Sequence, residues 1–124
     1  MGKLLSFAIP CYNSAEYMEH CINTVIAGGD EVEVIIVDDG STKDNTYEIA
    51  KRYEQEYPEI VKAVHQENGG HGDAVNTGLK HATGKFFKVV DSDDWVDSKS
   101  YKRMLATLRS FEEGEAPDMV IANY

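Results

Sequence analysis

The sequence predicts an α/β fold in which a mainly parallel sheet carries helices on both faces. Three observations point there: five short apolar runs rich in β-branched residues, four intervening stretches with apolar residues at helical spacing, and the regular alternation of the two, βαβαβαβαβ. Strands covered on both faces read as continuous apolar runs. Parallel neighbours need crossover connections, which are right-handed and usually helical.

The first run, Leu4 to Pro10, leads to Met18, Cys21, Ile22 and Val25, and Asn13 with Glu16 three residues on resembles a capping box for that helix. The second, Val32 to Val37, leads to Ile49, Ala50, Tyr53 and Tyr57, with Ser41 and Asp44 offering a helix start and Pro58 a stop. Ile60 to Val64 is the third strand. Its helix carries Val75, Gly78, Leu79 and Ala82, and Gly84 closes it. Phe86 to Val90 precedes Tyr101, Met104, Leu105 and Leu108, with Asp97 and Ser98 as caps, and Met119 to Ala122 is the fifth strand.

A chain of 124 residues, 42% hydrophobic and 27% charged, has room for one domain with one core, spanning 1–124. Twelve Lys and Arg against 22 Asp and Glu give a net charge of −10, which repels phosphate backbones and anionic membranes and excludes nucleic acid as a partner. An acidic protein can still hold an anionic ligand through a divalent cation. Cys11 and Cys21 have no metal-type spacing with each other or with a histidine, so they read as buried free thiols of a reducing compartment, and the chain reads as cytoplasmic. No apolar run approaches the ~20 residues of a membrane span, so no transmembrane segment is expected.

In open α/β sheets, ligands bind beyond the carboxyl ends of the strands, near the point where strand order reverses. Three such junctions are unusually polar: Pro10-Cys11-Tyr12-Asn13, Asp38-Asp39-Gly40-Ser41 and Asp91-Ser92-Asp93-Asp94-Trp95. So many carboxylates at one sheet edge repel one another unless a cation neutralises them. Oxygen ligands without paired His or Cys favour Mg2+ or Mn2+ over zinc. A turn needs one Asx residue rather than the three carboxylates of residues 91–94, whereas Asp38 reads first as an acceptor for backbone N–H groups in its own turn. Tyr12 is open to either stacking on a flat ligand ring or packing in the core. In the glycine-rich turn Asn68-Gly69-Gly70-His71-Gly72, the glycines allow close approach to a ligand, while His71 reads first as a solvated surface histidine and Trp95 as a packing residue.

Taken in order, Ile9-Pro10-Cys11-Tyr12-Asn13, Ile36-Val37-Asp38-Asp39-Gly40-Ser41-Thr42, Asn68-Gly69-Gly70, Asn76-Thr77-Gly78 and Asp91-Ser92-Asp93-Asp94-Trp95 resemble the family 2 glycosyltransferases, from about Leu4 to Val96. The resemblance implies a GT-A fold, a nucleotide-diphosphate-sugar donor, commonly a UDP-sugar, a divalent metal and transfer with inversion to an acceptor glycan or lipid-linked saccharide. Carried over by position, Pro10, Cys11, Tyr12 and Asn13 would line the nucleoside pocket, with Tyr12 near the base. Asp39 would accept a hydrogen bond from the base. Asn68, Gly70, Asn76 and Ser92 would complete the nucleotide-sugar site. Asp91 and Asp93 match an Asp-x-Asp motif holding ribose and metal, with Asp94 a close neighbour and Asp93 the first choice of metal ligand.

The chain departs from that pattern in two places. Val75 stands where family members often carry arginine, and the chain reaches Tyr124 without the acceptor half that supplies the Asp or Glu base. The chain is therefore expected to be a donor-binding half cut after its fifth strand, with the base beyond Tyr124. An edge left beside the fourth strand would invite self-association. In the full-length protein the cytoplasmic location could become the inner membrane face.

Rival classes fit the order less well. A phosphorelay receiver places its acidic pair after the first strand and a lysine after the fifth, where this chain has Cys11-Tyr12-Asn13 and Asn123-Tyr124. A nucleotidyltransferase opens with a glycine-rich basic loop. A non-catalytic nucleotide-sugar-binding module remains an open alternative for a chain of this length.

Overall fold

In the computed structural model, which describes residues 3–113 and 120–121, the sheet is built outward from β1 (Leu5–Cys11). The chain continues through α1 (Met18–Ile26), a 3-10 turn (Gly29–Glu31), β2 (Val32–Asp39), α2 (Thr46–Glu56), β3 (Val61–Gln66), α3 (His71–His81), β4 (Phe86–Val89), α4 (Ser98–Glu113) and β5 (Val120–Ile121). The strand order is β3-β2-β1-β4-β5, all parallel. Five strands and four helices therefore alternate as the sequence predicts. Met119 and Ala122, the ends of the expected fifth strand, lie outside the described residues.

β1 and β2 are buried at every position, as their unbroken apolar runs require. Phe7, Ile9, Val34 and Ile36 turn to one face and join Met18, Ile22, Val25, Ile49, Ala50, Tyr101 and Met104 from α1, α2 and α4. Ile35 and Val37, one residue out of phase, face the other way and meet Ala74 of α3. β3, at the sheet edge, is only partly buried. On the larger face, Tyr101 packs edge-on against Phe7 at 5.7 Å, and its hydroxyl donates to the Val25 carbonyl at 2.7 Å.

The chain runs β1 to β3 in one direction and then returns to place β4 on the other side of β1. This reversal puts the crevice for a ligand between the carboxyl ends of β1 and β4, beside that of β2. Phe86 and Phe87 pair with Val120 and Ile121, so the first half of β4 has an outer neighbour. The bare edge expected beside the fourth strand is reduced, among the described residues, to Lys88 and Val89.

Two expected helix starts are corrected. α1 begins at Met18, where the Tyr17 and Met18 N–H groups both donate to the Ser14 carbonyl, so Asn13 and Glu16 form no capping box. Asn13 instead sits in the left-handed region, φ 49°, donates its N–H to Ser41 Oγ at 2.8 Å and accepts the Thr42 and Lys43 N–H groups on Oδ1, both at 3.1 Å. Two residues read as separate caps thus tie the β1–α1 and β2–α2 loops together. At α2 the start is fixed by Asp44, which accepts the Thr46 N–H and hydroxyl. Asp97 caps α4 as expected, accepting the Ser100 N–H at 3.0 Å.

At the opposite end of the sheet, the buried Glu33 accepts from the Ser6 hydroxyl, the Thr83 N–H and hydroxyl, and the Lys62 ammonium, all between 2.8 and 2.9 Å. Burial pushes this carboxyl up, but Lys62 and the three neutral donors outweigh it and hold the group below the usual carboxylate range. A depressed folded value means that the stabilisation is complete above the ordinary value of 4.5 and is lost as pH falls through the folded value. Glu33→Ala, which leaves buried donors without an acceptor, should cost about 2 kcal/mol at neutral pH. In urea melts, its deficit against the parent chain should shrink as the pH falls below 4.5.

Candidate nucleotide-sugar site

A cleft of about 370 Å3 opens at the predicted crevice. That volume lies in the usual range for small-ligand sites. Its walls include Pro10, Cys11, Tyr12, Asp39, Asn68, Gly70, Asp91, Ser92 and Asp93, nine of the site residues expected from sequence, joined by Ser14, Tyr17, His71 and Ala74. Strand ends position most of them: Pro10 and Cys11 finish β1, Asp39 finishes β2, and Asp91 to Asp93 follow β4.

Tyr12 is 50% exposed, which decides against a core role. Its N–H donates to Ser14 Oγ at 3.0 Å, and Ser14 is in turn held by the Ser92 hydroxyl at 2.9 Å and, through its own N–H, by Thr46 Oγ1 at 2.8 Å. Ser92 is thus buried and spent on bracing Ser14, which couples the first and fourth junctions. Cys11 forms wall. Burial, followed by Cys21 and Asp38, pushes its thiol up, and burial with Asp94, Asp91 and Asp93 pushes Cys21 up to about 12. Both thiols are protonated and make poor metal ligands at neutral pH.

Asp38 and Asp39 diverge, because consecutive strand residues point to opposite faces. Asp38 is fully buried, accepts the Ser41 N–H at 3.1 Å as its turn role predicts, and also meets His65 Nδ1 at 2.7 Å. Asp39 faces the cleft. Its Oδ1 accepts the Gly69 N–H at 2.8 Å and Gln66 Nε2 at 2.9 Å, and its Oδ2 accepts the Gly70 N–H at 2.9 Å. The neighbouring Gly40 has φ +75°, and a Cβ there would lie 2.6 Å from the Asn68 nitrogen, so both backbone conformation and space require glycine. Asn68 closes the turn by donating from Nδ2 to the Asp39 carbonyl at 3.0 Å.

Asp91 and Asp93 are both exposed and share the cleft, whereas Asp94 lines a second cavity of about 460 Å3 with Asp91. Among the described residues, no three His, Cys, Asp or Glu side chains converge on one point fit for a metal ion. Asn13 is taken up in the loop tie and Asn76 lies exposed on α3, and neither lines the cleft. His71, which reads as a solvated residue, instead meets Asp91 Oδ1 through Nε2 at 2.8 Å. Trp95 is 56% exposed and stacks on His20 at 5.1 Å, so it is not the packed turn residue expected. Lys88, on the floor of the second cavity, was not anticipated, and burial holds its ammonium below the usual lysine value against the opposing effect of Asp94.

Comparison with known proteins agrees with this layout. The chain is 36% identical over its whole length to glycosyltransferase GlyG of Streptococcus pneumoniae, covering 40% of that protein. It superposes on S. aureus TarS (residues 1–349) in complex with UDP with a TM-score of 0.73 and 33% identity, over 88% of this chain and 33% of that one. A second structure, the mannosyltransferase PcManGT from Pyrobaculum calidifontis in complex with GDP-Man and Mn2+, gives a TM-score of 0.69 and 29% identity, over 78% of this chain and 30% of that one. This chain therefore spans at most two fifths of the length of these relatives, and the GT-A-like fold implied by the resemblance is shown. The family model described as glycosyl transferase family 2 matches residues 6–120. The chain belongs to glycosyl transferase family 2.

Proposed function

We propose that the chain is the donor-binding part, 1–124, of an inverting glycosyltransferase that takes a UDP-sugar or a similar nucleotide sugar and passes the sugar to a hydroxyl of an acceptor glycan or lipid-linked saccharide. The observation that carries this reading is one cleft lined by an exposed aromatic ring, a braced carboxylate and two exposed carboxylates: Tyr12, Asp39, Asp91 and Asp93. Tyr12 stacks on the base, Asp39 accepts a base N–H, and the glycine turn that Asp39 fixes borders the ribose and diphosphate.

The donor set fits Mg2+ or Mn2+. Such ions are held by one or two carboxylates together with substrate phosphates, so two exposed aspartates on one cleft suffice without a complete protein cage. Asp91 and Asp93 would hold the ion, with Asp93 the principal ligand and Asp94 beside it. When bound, it neutralises charge on the diphosphate, both on entry to an acidic cleft and as the leaving group departs. The structures of TarS with UDP and PcManGT with GDP-Man and Mn2+ support both parts of this reading. We further propose that the base that deprotonates the acceptor belongs to the acceptor part of the whole protein and that the reaction takes place in the cytoplasm. Self-association along Lys88 and Val89 is a further proposal, and a sedimentation weight that doubles with concentration is the expected result.

Titration calorimetry with UDP and GDP in Mn2+ tests the reading. Saturable one-site binding of UDP, tighter than GDP, is expected. The absence of heat from both contradicts it. Slow hydrolysis of a UDP-sugar would separate an active donor site from the alternative, a silent binding module.

A further inference from the structure

We infer that His71 binds the donor, its Nε2–H passing from Asp91 Oδ1 to an oxygen of the diphosphate, an assignment that rests on the nucleotide-sugar reading of the cleft. The diphosphate must bridge the base end, at Tyr12 and Asp39, and the carboxylate end, at Asp91 and Asp93. Among the described residues, the cleft wall carries no Lys or Arg, and His71 is its one imidazole, set among Asp39, Asp91 and Asp93. Its ring is 63% exposed, yet it is held at the cleft by the 2.8 Å bond to Asp91.

The backbone places the ring with unusual definition. Gly70, at φ +97°, turns the chain into α3, and both Gly69 and Gly70 N–H groups are fixed by the Asp39 carboxylate. The Asp39 carboxylate, which is the proposed base contact, therefore also fixes the two residues that precede the imidazole. His71 opens α3, where the positive end of the helix favours an anion. Val75, one helical turn further along, supplies no cation.

The test is titration of UDP and of uridine into the parent chain, His71→Ala and His71→Gln, in Mn2+ and again in EDTA so that altered cation binding at Asp91 does not enter. His71→Ala should bind UDP about tenfold more weakly in both buffers with uridine affinity and Tm unchanged, and His71→Gln, which keeps an N–H donor, should recover most of the loss. Equal UDP affinity in parent and His71→Ala overturns the assignment, as does an equal loss for UDP and uridine, which is the mark of a residue that only shapes the turn. A parent chain that binds neither UDP nor GDP overturns this assignment and the functional reading together.

Discussion

Asp39→Ala should lower UDP affinity by roughly two orders of magnitude, the equivalent of about 2.7 kcal/mol, and should also destabilise the chain. The two losses have one cause. Asp39 is buried, and its carboxylate is the shared acceptor for the Gly69 N–H, the Gly70 N–H and Gln66 Nε2. Removing it orphans three donors at the mouth of the cleft and takes away the acceptor proposed for the base. A charge-assisted hydrogen bond contributes about 1.5–3 kcal/mol, so one direct contact and one misplaced turn account for the affinity. Asp39→Asn separates them. It can keep the Oδ1 bonds but turns an amide N–H2 toward the Gly70 N–H, so stability should recover in part while UDP binding stays weak. Calorimetry and urea melts on both variants check the split. A UDP affinity left within threefold of the parent in Asp39→Ala would remove Asp39 from the site.

The largest effect on the fold is expected at Gly78→Val. Helix α3 lies so close to β1 that a Cβ on Gly78 would stand 2.5 Å from Ala8 Cβ and 3.8 Å from Val37 Cγ2. Atoms cannot share that space, so the branched side chain must lift α3 from the sheet. We expect a loss of about 3 kcal/mol, near the upper end for overpacking, and a fall in Tm of roughly 10 °C for a chain of this size. Gly78→Ala should lose less, because the better helix propensity of alanine offsets part of the clash. Since α3 also carries His71 and Ala74 into the cleft, UDP binding should weaken in the valine variant even below its melting point. An unchanged Tm in Gly78→Val would show that α3 does not pack on β1 as described.

Much of this was legible in the sequence because it is local. The apolar runs of β1 and β2, the helical spacing of Met18, Cys21, Ile22 and Val25, and the polar residues after the strands all follow from short-range pattern. The positions of Tyr12, Asp39, Asp91 and Asp93 on one cleft follow from parallel topology, which brings successive carboxyl ends together. What the sequence hid are the pairings between distant residues. Asn13 and Ser41 look like two helix caps until the loops meet, and then each finds a better partner across 28 positions. Gly78 reads as one position on the apolar face of its helix, although the reason for glycine there is Ala8 on the strand beneath. Glu33 lies within an apolar run with no local signal for its role, yet Ser6, Lys62 and Thr83 make it the buried acceptor of the lower sheet. His71 and Asp91, 20 residues apart, had no local signal for their contact.

On the proposed reading, a cation held by Asp91 and Asp93 makes the largest contribution to bringing an anionic donor into an acidic cleft. The direct measurement is the affinity of UDP for the parent chain and for Asp93→Ala, each titrated in Mn2+ and in EDTA. Binding through the cation predicts at least a tenfold gain from Mn2+ in the parent chain and no gain in Asp93→Ala. Equal UDP affinity with and without Mn2+ in the parent, or the full Mn2+ gain retained by Asp93→Ala, would contradict it.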